Sequence, residues 1–200
     1  MQSRRRPRGE TRRQILKLGG EWLQQRGYHG FSFGQIAEAL DIQSSAVHYH
    51  FPAKPDLVAA LFAGYREDFQ WWSEQQSRGS ADALARIGRF FDLQARNLDD
   101  AQVCPLGVAG VEYSSLPAAA CAEAEGLRDD LVAWLAQTLE TGRSNAELEF
   151  VGAAVDQARM IMAAAQGALQ IARLHGQSDF KAVRRAVLAG LRASSTGSSA

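Results

Sequence analysis

Apolar residues recur at steps of three and four along nearly the whole chain beyond residue 10. No stretch shows the strict alternation of a half-buried strand. Ile15, Leu18, Trp22 and Leu23 share one helical face, and Gly27 follows as a C-terminal stop, so a first helix is predicted over about Glu10–Arg26. The stretch FSFGQIAEAL specifies a helix start in full. Ser32 is an N-cap, Gln35 completes a capping box, and Phe31 and Ile36 sit at the two positions of a hydrophobic staple. That helix reaches about Leu40, Asp41-Ile42 turns the chain, and another short helix spans Ser44 to Tyr49 or His50 before Phe51-Pro52 ends it.

Pro55 suits the first turn of a longer helix that begins near Lys54, with Leu57, Leu61, Phe62, Tyr65 and Phe69 inward, and SRGSAD at 77–82 breaks it. Further helices are predicted over Ala83–Asn97, through about Val111–Tyr113, and over Ala119–Glu140, Ala146–His175 and Asp179–Ala193. Pro105 lies in the break between the first two of these. The fold class is all-α, with about nine helices. Residues 1–9 form a basic arm, 10–53 a three-helix unit and 54–193 a larger helical body, and 194–200 is expected to be a disordered tail. The penultimate helix is small and apolar on more than one face, from Gly152, Ala153 and Ala154 through Gly167, Ala168 and Ala172. It must therefore be buried on more than one side, either inside one chain or, with the amphipathic helix at 179–193, as half of a four-helix homodimer seam.

Composition narrows the class. Two hundred residues with 46% hydrophobic content can build a real core. No run of 18 apolar residues suggests a membrane span, and the basic N-terminus lacks the apolar segment of a secretory signal, so a cytoplasmic protein is expected. Cys104 and Cys121 are too few for a disulfide framework and lack zinc spacing. The formal net charge of zero conceals an asymmetry: residues 1–54 carry nine Lys/Arg against four acids, and the remainder 13 against 18. A basic end on an acidic body points to nucleic-acid binding at the N-terminus, or else to a solvated arginine-rich tail.

DIQSSAVHYHFPAK, residues 41–54, tests the possible chemistries. His48 and His50 stand about 200° apart on a helix and cannot share a metal. Ser44 and Ser45 have no glycine cradle or strand-to-helix elbow for nucleophilic catalysis. No cofactor, metal or catalytic residue is assigned. A helix-turn-helix explains the pattern better. Ile36, Ala37, Leu40, Ile42, Val47 and Phe51 hold two helices together, while Gln43, Ser44, Ser45, His48, Tyr49 and His50 face a major groove. Lys54 offers a point charge to the phosphate backbone.

The order Thr11-Arg12, Ile15-Leu16, Gly27-Tyr28, Phe31-Ser32, Ile36-Ala37-x-Ala39-Leu40, Ile42, Ala46-Val47-x-Tyr49-His50-Phe51, Lys54, Leu57 resembles the DNA-binding domain of the TetR family of bacterial repressors over residues 10–61. The resemblance implies an all-α homodimer joined through its last two long helices and a diverged C-terminal ligand domain. It also implies double-stranded operator DNA and a small-molecule effector as partners. The family's DNA contacts map onto Ser44, Ser45, His48, Tyr49, His50 and Lys54, with Ser32 capping a helix near a phosphate. Tyr49 could instead pack between helices, and Arg4, Arg5, Arg6 and Arg8 either follow the DNA backbone or minor groove or form a free tail. Many members carry Gly at Asp41, Ser at Gln43, a small residue at Ser45 and Tyr at His48. These departures imply altered base choice or phosphate geometry.

In the body, VCPLGVAGVEYSSLP interrupts the helical pattern and leaves backbone free for a cavity, and it resembles a Cys-x-x-Gly…Glu segment in a branch of these regulators. Phe69, Trp72, Phe90, Phe91, Leu106, Val111, Trp134, Met160 and Met162 are candidate apolar walls. Glu112, Tyr113, Arg159 and Gln166 are candidate polar contacts. Core packing is the alternative for each aromatic or Met. Cys104, at a helix start, could sense electrophiles or oxidants or could be a buried thiol. The expected function is a non-enzymatic, ligand-responsive repressor. The alternatives are a thiol-based regulator, and a helical small-molecule-binding protein or enzyme without specific DNA binding.

Overall fold

The computed structural model describes residues 8–79, 81–99 and 102–192. Among these residues nine α-helices follow in order: α1 Arg8–Arg26, α2 Phe33–Ala39, α3 Ser44–His50, α4 Lys54–Arg78, α5 Ala83–Asp99, α6 Pro105–Glu112, α7 Ala118–Ser144, α8 Ala154–His175 and α9 Ser178–Gly190. A single 3-10 turn, Tyr28–Gly30, joins α1 to α2. The chain divides into two compact units, Met1–Glu67 with Pro105–Leu127, and Asp68–Cys104 with Arg128–Ala200. The segment 54–193 is thus shared between them. Of the arm predicted over 1–9, residues 1–7 lie outside the described residues, as does the tail at 194–200, while Arg8 and Gly9 belong to α1.

The first unit is organised around the fully buried Ile15, Leu23, Ile36, Val47, Leu57, Val58 and Phe62. A Cβ on Gly19 would come 3.2 Å from Leu57 Cδ2 and one on Gly20 3.0 Å from the Tyr65 hydroxyl, so this glycine pair lets α1 lie close against α4. The turn after α2 is a Schellman motif. The Asp41 amide donates to Glu38 O and the Ile42 amide to Ala37 O, with Asp41 left-handed at φ 50°. Asp41 thus has a backbone role, at one of the four positions where departure from the family pattern implied altered base choice or phosphate geometry.

The second unit buries Ile87, Phe90, Phe91, Leu135, Leu139, Ile161 and Leu191 completely. Its main departure from expectation is at 146–153, predicted as the first two turns of the penultimate helix. Instead α7 runs on to Ser144 and ends in a second Schellman turn, where Glu147 donates to Gly142 O and Ala146 is left-handed at φ 57°. An isolated bridge pairs Leu148 with Arg192, Gly152 takes φ 86°, and α8 starts only after Ala153. Gly152 and Ala153 therefore precede the helix to which their small size had assigned them. An alanine, not a glycine, occupies the left-handed position, so the usual stop signal is missing.

Candidate nucleic-acid interface

Local chemistry sets up the α2–turn–α3 unit. The Ser32 hydroxyl accepts from the Gln35 amide at 3.3 Å and the Gln35 side chain accepts from the Ser32 amide at 2.8 Å, closing the capping box. Phe33, Ile36 and Ala37 of α2 and Val47 of α3 are buried. With its apolar side fixed inward, α3 turns Ser44, Ser45, His48 and Tyr49 outward together with Gln43 just before it, and His50 is half-buried. Tyr49 is 67% exposed, with its ring edge against His50 at 5.2 Å between centroids, so it stands out instead of packing between helices.

His48 is exposed but held. Its Nδ1 lies 3.1 Å from the Pro52 carbonyl oxygen, and its ring meets Phe33 edge-on at 5.0 Å. Lys54 is held more tightly. Its ammonium donates to Phe31 O and lies over the rings of Phe31 at 4.1 Å and Tyr28 at 4.8 Å. Burial lowers its pKa below the ordinary lysine value, and the charge of Glu112 acts in the opposite direction. One cationic neighbour escaped the sequence reading: the exposed Arg12 guanidinium of α1 lies over the Phe51 ring at 5.3 Å, beside the end of α3. The 38 intervening residues carry no periodic signal linking the two.

The candidate effector residues fall into both compact units. In the second, Phe69, Trp72 and Trp134 form mutual ring contacts, with Trp72 and Trp134 5.0 Å apart. Phe90 reaches Trp134 at 6.5 Å and Phe91 at 5.6 Å. Cys104 is buried and its sulfur accepts from Gln166 Nε2 at 3.2 Å. Met162 is half-buried, Met160 is 54% exposed, and Arg159 is an exposed partner of Asp156 at 2.9 Å. In the first unit, Leu106 is half-buried, and Val111 and Tyr113 are 83% and 52% exposed. Glu112 turns to the helix-turn-helix, where its carboxylate accepts from the Tyr28 amide at 2.7 Å.

Residues 15–61 match the family of bacterial regulatory proteins of the tetR type. The chain is 27% identical over 168 residues to the HTH-type transcriptional repressor NemR of Escherichia coli K12, covering 80% of this chain and 82% of that protein. A TetR family regulator from Agrobacterium tumefaciens superposes with a TM-score of 0.88 at 27% identity, covering 94% of this chain and 100% of the other. The reduced form of E. coli NemR superposes at 0.82 with 20% identity, covering 93% and 99%. The exposed polar α3 and its capped partner α2 thus lie within a tetR-type DNA-binding segment, and over most of its length the chain is similar to HTH-type transcriptional regulators of that family.

Proposed function

We propose that this chain is a homodimeric repressor that holds a pseudo-palindromic operator through two copies of α3 and leaves it when a small molecule binds the helical body. The observation that carries the reading is the division of α3 into an inward anchor, Val47, and an outward polar face of Ser44, Ser45, His48 and Tyr49, continued by Gln43. Such a face can exchange hydrogen bonds with base edges, while Ser32, His50 and Lys54 flank it for phosphate contact. At 100° per residue, the exposed Met160, Ile171 and Leu174 of α8 gather opposite its buried Ala158, Ile161, Ala165 and Leu169. Two apolar faces on one helix favour a second copy as partner. The ring cluster of Phe69, Trp72, Phe90, Phe91 and Trp134 favours an apolar effector. The relatives are regulators, not enzymes. No helix among the described residues is long and apolar enough to cross a membrane, and we place the protein's work in the cytoplasm.

The test is competition for the purified dimer between duplexes selected from its source genome and random DNA. A repressor prefers the selected site at every salt concentration. Equal, steeply salt-dependent binding to both would mark a non-specific DNA protein, and no binding would favour a ligand carrier. A thiol-sensing version has one observation behind it. Gln166 donates to the sulfur of the buried Cys104, so modification of that sulfur would break a contact between α8 and the residue just before α6. Cys104→Ser would then abolish operator release by alkylating agents or peroxide. Unchanged release in that variant would reject the thiol version and leave the repressor intact.

A further inference from the structure

The hydrogen bond made by His48 bears on which bases the recognition helix reads. Its ring is exposed on α3, yet Nδ1 sits 3.1 Å from the carbonyl oxygen of Pro52 and the ring edge rests on Phe33. A carbonyl oxygen has lone pairs and no proton, so the hydrogen in that contact belongs to Nδ1. Neutral imidazole carries one N–H and one bare nitrogen, so Nε2 is left as an acceptor. Turning the ring over to present Nδ1 would break the Pro52 bond. The outward hydroxyls of Ser44, Ser45 and Tyr49 differ, since each can rotate to donate or accept.

We propose, resting on the operator-binding reading, that His48 is a specificity-determining residue whose Nε2 accepts a hydrogen bond from an exocyclic amine in the major groove. Each half-site then has one position that demands adenine N6 or cytosine N4. Guanine, with N7 and O6, and thymine, with O4, offer acceptors there and are rejected. The same polarity excludes a phosphate oxygen as the neutral ring's partner, because a phosphate contact needs a donor. Pro52 acts as a positioning residue through its main chain.

The experiment selects bound duplexes from a randomised library at pH 8, where a histidine ring is ordinarily neutral, with the full-length wild type, His48→Ala and His48→Asn. The asparagine amide can keep the bond to Pro52 O but does not reach as far as Nε2, so it controls for loss of the helix end. One position per half-site should favour adenine or cytosine in the wild type and lose that preference in both variants. Purine in place of that adenine, or 2-pyrimidinone in place of cytosine, deletes the amine. It should weaken wild-type binding about tenfold, the effect of one such bond, and leave the variants unchanged. In the free protein, long-range 1H–15N correlations of the imidazole should show the Nδ1–H tautomer. The proposal is overturned by an Nε2–H tautomer, by a guanine at the His48-dependent position whose 7-deaza form binds poorly, or by identical preferences in all three proteins. A wild type that enriches no sequence sinks the operator reading itself, and this inference with it.

Discussion

Replacing Gly27 with alanine should cost more than either of its two local effects alone, and the surplus can be worked out from Glu112. Gly27 takes φ 76° and ψ 178°, a region that essentially only glycine occupies, so a side chain there carries a backbone penalty of about 1–3 kcal/mol. The new Cβ would also lie 2.5 Å from Glu112 Oε1 and 3.0 Å from Oε2 and Cδ. The carboxylate must withdraw, and in doing so it gives up the 2.7 Å bond from the Tyr28 amide. A hydrogen bond to a charged group contributes about 1.5–3 kcal/mol. Together the two effects come to roughly 4 kcal/mol. The assay is urea unfolding, followed by circular dichroism at fixed protein concentration, of wild type, Gly27→Ala, Glu112→Ala and the double variant. The Tyr28–Glu112 bond can be lost only once, so the double variant should be more stable than additivity predicts by about 2 kcal/mol. Additivity within about 0.5 kcal/mol, or a Gly27→Ala cost under about 1 kcal/mol, would refute the close approach of α6 to the end of α1.

Three further outcomes follow from the same geometry. Lys54→Met keeps an apolar stem over Tyr28 and Phe31 but removes the charge. If a phosphate shares the ammonium with Phe31 O, a plot of log affinity against log salt for the selected operator flattens by about one contact; an unchanged slope confines Lys54 to holding the fold. Because burial lowers the Lys54 pKa, the unfolded chain binds that proton more tightly, so stability rises with pH as the folded pKa is passed and levels off near the ordinary 10.5. Wild type should therefore gain on Lys54→Met in urea titrations as the pH is raised through the alkaline range toward 10.5, and a constant difference would contradict the shift. Asp41→Gly should stabilise by up to about 1 kcal/mol by relieving a left-handed non-glycine residue, with a lower unfolding midpoint as the contrary result. Brief treatment of the native protein with iodoacetamide should modify Cys121 before the buried Cys104, and mass spectrometry of the peptides would show the reverse order if Cys104 is open to solvent.

Most of the helix-turn-helix was legible in the sequence because its determinants are local. Ser32 and Gln35 sit three residues apart and close the capping box that their spacing predicts, and Val47 lands inside because its neighbours fix the helical phase. Legibility falls where the partner is distant in sequence. Nothing in the period of α6 marks Glu112 for the Tyr28 amide, 84 residues away, so the sequence placed it among ligand contacts. Lys54 read as a free charge for the same reason: its carbonyl partner on Phe31 is main chain and invisible to side-chain patterns. The overlong helix at 146–153 has another cause. Alanine and glutamate at 146–147 continue a helical composition, while Ala146 adopts a positive φ that composition cannot announce.

The four departures from the usual family pattern therefore differ in consequence. Gln43, Ser45 and His48 are exposed, and changes there leave the buried anchors Val47 and Phe51 in place. They are free to alter what the helix reads at little cost to the fold, since exposed substitutions usually change stability by about 0.5 kcal/mol or less. Asp41 is different because its φ of 50° lies inside the Schellman turn that sets the angle between α2 and α3. An aspartate there accepts a strained conformation and also places a carboxylate one turn before the reading face. Against a polyanion that charge is repulsive, so Asp41→Gly should raise operator affinity as well as stability, and Asp41→Asn should raise affinity alone. If Asp41→Asn binds no better than wild type at low salt, the carboxylate lies beyond the reach of the phosphates and the turn's role is purely conformational.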